Sequence, residues 1–206
     1  MNSMFKSLLV LLNTSNDLII GDAGCVDLTP TGDVDMSGAS SIAGKTDSCV
    51  CYAPDEMSLP AVGGATQQEP WTDIETLQFV KSATKKATIA FSVPSDIDVS
   101  QGMDILYTWA IDTADTGAKA IKWDAVYAFI DISGGALPPG AYSTLTQTVG
   151  EPTPDQLQQT TIGTTSTPTA GYMLHLIVQR DGADVADDFL QDAQLLQVII
   201  KYKRKL

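Results

Sequence analysis

Apolar and polar residues alternate with a period of two through much of the chain, most clearly between residues 103 and 132. Over 103–112, Met103, Ile105, Tyr107, Trp109 and Ile111 occupy alternate positions, and over 121–132 the same is true of Ile121, Trp123, Ala125, Tyr127 and Phe129. A period of two places each set on one face of a pleated strand. The aromatic and β-branched content suits a half-buried sheet rather than a helix. The turn-rich stretch 113–120 between them predicts a hairpin, with Trp109 and Trp123 on one side that another layer must cover.

Further strands follow from the same rule. Leu77 and Phe79 alternate in 75–81. Ala87, Ile89, Phe91 and Val93 alternate with Lys86, Thr88, Ala90 and Ser92, and Pro94 ends that run. A Thr-rich strand is expected over 142–149 and an edge strand near 159–162, inside a segment (150–170) rich in Pro, Thr and Gln. Tyr172, Leu174, Leu176 and Val178 line one face of a later strand, and Leu196, Val198, Ile200 and Tyr202 line the last one. Residues 184–190 or 191–194 have room for one helical turn. No strand–helix–strand rhythm exists, so antiparallel sheets are expected. About eight strands separated by Gly/Pro/Thr loops predict an all-β, two-sheet antiparallel sandwich of jelly-roll type.

Residues 1–68 have a different texture. Trp is absent, Phe5 and Tyr52 are the aromatic residues, and Gly, Ser, Thr and Asp dominate. Short alternations (Val26/Leu28, Val34/Met36, Val50/Tyr52) predict an extended N-terminal arm with short strands, serving docking or assembly. It has too little apolar surface to offset its own ordering entropy. Residues 69–206 form the sandwich.

Charge narrows the partners. Twelve Lys and Arg against 25 Asp and Glu give a net charge of −13, which repels phosphate backbones and anionic lipid, so nucleic-acid and membrane partners are not expected. Lys201, Lys203, Arg204 and Lys205 form a basic tail, read as solvated. The apolar run 8–12 after Lys6 is shorter than a signal-peptide core, and no stretch approaches the roughly 20 apolar residues of a membrane span. The chain reads as made in the cytoplasm, and the sequon Asn13-Thr14-Ser15 carries little weight. Cys25, Cys49 and Cys51 are an odd number, which argues against a disulfide-stapled domain and for packed, reduced thiols.

Candidate chemistry is sparse. Ala39-Ser40-Ser41-Ile42-Ala43-Gly44-Lys45-Thr46 fits a relaxed P-loop pattern, but the first glycine is missing and Pro54 follows soon after, so a phosphate-binding helix N-terminus is not expected. Asp181, Asp184, Asp187, Asp188 and Asp192 are the candidate Ca²⁺ ligands, without EF-hand spacing, and a solvated loop is the expectation. His175 lies on the strand face opposite Leu174 and Leu176 with no nucleophile motif beside it, and is expected to pack in a sheet or subunit contact. No catalytic, cofactor or metal residues are assigned. For sugar recognition, Trp71, Tyr142 and Tyr52 are the aromatic candidates, because alternation turns Trp109 and Trp123 inward.

Several short pieces carry a resemblance. Ile89-Ala90-Phe91-Ser92-Val93-Pro94-Ser95-Asp96-Ile97-Asp98, then Leu106-Tyr107-Thr108-Trp109-Ala110-Ile111 and Lys122-Trp123-Asp124, resemble the jelly-roll structural proteins of tailed bacteriophages. So do Arg180-Asp181 and the ending from Asp192 to Tyr202. The similarity spans roughly residues 75–203. It implies a non-enzymatic virion protein: a trimeric capsid decoration (cement) protein that bridges capsomers on the outer shell, with the major capsid protein and itself as partners. The alternative is a fibre or spike module that binds a receptor or host glycan. That alternative expects exposed aromatics beside Asp or Asn on the loops at 134–140, 150–170 or 181–188.

Overall fold

The computed structural model describes residues 45–116, 119–134 and 141–205. Among the described residues ten strands run in order: β1 (Lys45–Tyr52), β2 (Thr66–Trp71), β3 (Ile74–Phe79), β4 (Thr84–Ser92), β5 (Asp104–Ala110), β6 (Ala120–Ile130), β7 (Ser143–Gly150), β8 (Gln158–Thr164), β9 (Met173–Asp181) and β10 (Ala193–Lys205). One 3₁₀ turn, Pro54–Glu56, is the helical element among the described residues. None of their helices is long and apolar enough to cross a membrane.

The strands form two antiparallel sheets, as the alternation predicts. One has the order β2-β3-β10-β5-β8, with β1 also paired to β10. The other has the order β4-β9-β6-β7. The 13-residue β10 is long enough to hold two neighbours on one side. Its start pairs with β3 (Leu195↔Leu77), and its end pairs with β1 in unbroken register from Lys45↔Lys205 to Tyr52↔Val198. Residues 45–52 are therefore part of the sandwich, and Ser58 forms a bridge to Thr88 at the edge of the other sheet.

The expected hairpin of the two tryptophan strands is not formed. β5 belongs to the first sheet and β6 to the second, and the chain between them crosses the sandwich. The physical reason is economical: two strands that each have one apolar face bury both faces if they oppose one another across a core. Trp109 and Trp123 are fully buried and meet at a centroid distance of 5.6 Å with planes at 64°. Phe79 (5.3 Å) and Tyr107 (5.6 Å) approach the same Trp123 ring edge-on. Each such contact adds about 0.5–1.5 kcal/mol to area burial. The Trp109 indole N–H donates to Thr160 Oγ1 at 3.0 Å. The Trp123 N–H has no acceptor, so its ring contacts must outweigh roughly 1–3 kcal/mol of desolvation.

Two local expectations are corrected. In the last strand a bulge between Leu195 and Gln197 shifts the register. Leu195, not Leu196, therefore shares the core face with Val198 and Ile200, and Leu196 turns outward. Neither proposed helical turn forms. Residues 182–192 are a succession of turns closed by Asp184 N–H to Asp181 O and Asp187 N–H to Asp184 O.

Candidate functional site

The loop acids proposed as a cation site do not converge. Asp187 is buried and takes Arg180 Nε at 2.8 Å and Nη2 at 2.9 Å. Asp184 takes Lys122 Nζ at 2.5 Å. Asp188 accepts the Ala120 N–H at 2.7 Å, Asp192 accepts the Lys81 N–H at 3.1 Å, and Asp181 accepts Thr84 Oγ1 at 2.8 Å. These carboxylates tie the loop to β4, β6, β9 and the Lys81 backbone that follows β3, which corrects the expectation of a solvated loop. Among the described residues no three His, Cys, Asp or Glu side chains gather as metal ligands.

The other candidates also separate. Lys45 and Thr46 open a strand rather than a helix, and residues 39–44 of the P-loop-like stretch lie outside the described residues. His175 sits on the solvent-side face of β9, its Nδ1 3.2 Å from the Tyr142 hydroxyl, so a phenol faces it rather than a carboxylate. Tyr52 packs against the core and reaches Ala90 O across the sandwich. Cys49 and Cys51 are exposed and free, not packed. They alternate with Val50 and Tyr52, which take the inner face of β1. Cys25 lies outside the described residues.

Trp71 is different. It ends β2 and pairs with Ile74 across the two-residue turn Thr72-Asp73. The indole lies half-buried over the outer face of the larger sheet. With Ile74, Ala110, Asp155, Leu157 and Leu196 it lines a shallow recess of about 300 Å³. Its Nε1–H donates to Asp155 Oδ1 at 2.6 Å. Ile74 is 43% and Leu157 67% exposed, so an apolar rim faces solvent beside the carboxylate.

The backbone holds this pair in place. In Thr153-Pro154-Asp155-Gln156 the Gln156 N–H bonds to Thr153 O at 3.2 Å, and the Asp155 N–H is anchored by Ile111 O at 2.9 Å. Proline presets the first central position of such a turn, and the second then takes positive φ. Asp155 has φ 59° and Asp73 has φ 61°, the two non-glycine residues with positive φ among those described. Left-handed backbone costs an L-residue roughly 1–2 kcal/mol, somewhat less for Asp. Asp155 lines the recess, and Asp73 lies in the turn between two of its lining residues, Trp71 and Ile74.

Sequence alone pointed to Trp71 and to the 150–170 segment, but not to their meeting. Asp155 is 84 residues away from its partner. The one local signal was Pro154-Asp155, a turn dipeptide. The 134–140 loop lies largely outside the described residues.

No family model and no curated protein matches the chain. Solved structures that align with it include the C-terminal family 22 carbohydrate-binding module of Clostridium thermocellum Xyn10B (16% identity, TM-score 0.41, covering 73% of this chain and 88% of that one). A family 11 carbohydrate-binding module from the same organism aligns at 8% identity and TM-score 0.33, covering 81% and 92%. The enzymatically active domain of bacteriophage CBA120 tailspike protein 4 aligns at 11% identity and TM-score 0.33, covering 78% of this chain and 19% of that one.

Proposed function

We propose that this protein is a non-enzymatic recognition module whose ligand is a neutral glycan, bound on the outer face of the larger sheet against Trp71. The observation that carries the proposal is the solvent-facing indole pinned by Asp155 in a recess with an apolar rim. An indole offers a flat apolar surface to the C–H face of a pyranose. The carboxylate beside it has several lone-pair positions, of which the indole N–H uses one; the others accept sugar hydroxyls. Neutral sugars are favoured over acidic ones because Asp155 and the net charge of −13 repel anions.

One ring and one carboxylate on an open face imply weak binding, on the order of millimolar, or about −4 kcal/mol. Such a site gains from presentation in several copies, since linked sites raise avidity without new contacts. The fibre or spike role on a virion surface fits that requirement. The capsid-clamping role draws on the fold, the acidic charge and the phage-like sequence pieces, and gives the Trp71–Asp155 pair no task.

Binding of the full chain, displayed multivalently, to an array of neutral and acidic glycans tests the proposal. Retention on one class of neutral glycan, lost in Trp71→Ala with the fold intact by circular dichroism, is expected. Binding unaffected by Trp71→Ala, or no retention on any glycan, overturns it.

A further inference from the structure

A second feature lies at the opposite end of the same sheet and is independent of the recess. We infer that Cys49 and Cys51 form a two-sulfur site for a soft monovalent cation, with Cu(I) as its best fit.

The placement comes from strand geometry. Val50 and Tyr52 take the inner face of β1, so Cys49 and Cys51 project together from the outer one, both exposed and both free. The ladder to β10 is unbroken over all of β1, and the Tyr52 hydroxyl is bonded to Ala90 O on the second sheet. The two sulfurs are therefore carried on a supported strand rather than a loose loop, as a preorganised site requires.

A disulfide does not suit this spacing. Residues two apart on a strand have Cα and Cβ atoms separated by about 6.6 Å, whereas a disulfide brings Cβ atoms to about 3.5–4.5 Å. Both side chains leave the same face of the strand, and rotation about χ1 lets each thiol lean toward the other. This separation is too wide for a covalent bridge and close enough for one shared ion.

Ligand type selects the ion. Thiolates favour soft cations such as Cu(I), while Ca²⁺ and Mg²⁺ take oxygen. Zinc in a structural site takes four ligands, and among the described residues no third His, Cys, Asp or Glu completes such a group. Cu(I) accepts two sulfurs in a line. Lys201 is the cross-strand partner of Cys49, and both border a recess of about 600 Å³ with Asp104 and Lys203. A copper held by two thiolates carries one negative charge, which the Lys201 ammonium offsets. On binding, two S–H bonds are exchanged for two S–Cu bonds, two protons leave to solvent, and copper stays Cu(I).

The test is an anaerobic titration of the reduced full chain with Cu(I) against the chromophoric chelator bicinchoninate. One Cu(I) per chain is expected to leave the chelator, with affinity falling at least 100-fold in Cys49→Ser and in Cys51→Ser and unchanged in Cys25→Ser. Wild-type affinity no greater than that of either single variant, or equal loss in Cys25→Ser, overturns the inference. Should a serine variant misfold, alkylation of the wild type decides: Cu(I) is expected to shield Cys49 and Cys51 together and to leave the alkylation rate of Cys25 unchanged. Any other pattern of shielding overturns it.

Discussion

Arg180 and Asp187 form a bidentate ion pair sealed inside the sandwich, both side chains with zero exposure. The remaining guanidinium donors go to the carbonyls of Phe79 (3.0 Å), Gln191 (2.8 Å) and Phe189 (2.9 Å). One cation thus ties β9, the end of β3 and the acidic loop together. Asp187→Ala strands the buried guanidinium, and Arg180→Met leaves the buried carboxylate only the more distant Lys81 Nζ at 3.7 Å, so either change should cost about 3–5 kcal/mol. The double variant, measured by urea unfolding, should recover part of that loss but not all, because three carbonyls stay unpaired. Full recovery would show that those carbonyl bonds contribute little.

Emission should report the Trp71 environment directly. Trp109 and Trp123 are buried completely and Trp71 is half-buried. Acrylamide should therefore quench one class of emitter and spare the rest, and Trp71→Phe should abolish the quenchable class. Quenching that persists in that variant would mean the core opens to solvent.

Two glycines should respond in opposite directions to alanine. A Cβ at Gly182 would sit 2.3 Å from Lys81 O, while one at Gly150 would meet nothing within 4 Å. Gly182→Ala forces backbone apart and should cost about 1–3 kcal/mol. Gly150→Ala, in strand β7, should gain about 0.5–1 kcal/mol by restricting the unfolded chain. Thermal midpoints moving the same way in both would contradict the described backbone approach.

The alternation rule located most of the strands because burial on one face imposes a period that survives in the sequence. It could not tell a hairpin from two strands facing across a core. Trp109 and Trp123 give the same pattern in either arrangement, and only the path of the connecting segment separates them. Arg180 was legible in principle: it continues the inward series Leu174, Leu176, Val178, and a charge at such a position demands a buried partner. That partner, Asp187, stands in the sequence among Asp181, Asp184, Asp188 and Asp192, and no period sets it apart from them. The bulge at Leu195 erased the phase of the last strand, and the Trp71–Asp155 contact joins two turns with no periodic signal between them. Long-range pairing of that kind is a product of topology, and no local pattern encodes it.

The surface carboxylates set the dependence of stability on pH. Asp184 is held below the usual carboxylate range, first by the Lys122 hydrogen bond and then by the Ala186 N–H. Asp115 is lowered by the N–H groups of Leu190 and Thr116, Asp131 by Ser133 and Asp96 by Arg204. A folded-state pKa below the unfolded value of about 3.9 contributes stability that is complete above that value and lost as pH falls through the lower, folded one. Lys122 is shifted up, chiefly by Asp184, so its contribution is complete below the unfolded value of about 10.4 and disappears as pH rises through the folded one. Urea midpoints should therefore be flat between about pH 5 and 9 and fall on both sides. Asp184→Asn removes one depressed acid and the anion that raises Lys122, so both the acid and the alkaline declines should become shallower than in wild type. Unchanged slopes at both ends would mean that the Lys122–Asp184 pair is no stronger in the folded protein than in the unfolded chain, the usual fate of an exposed ion pair.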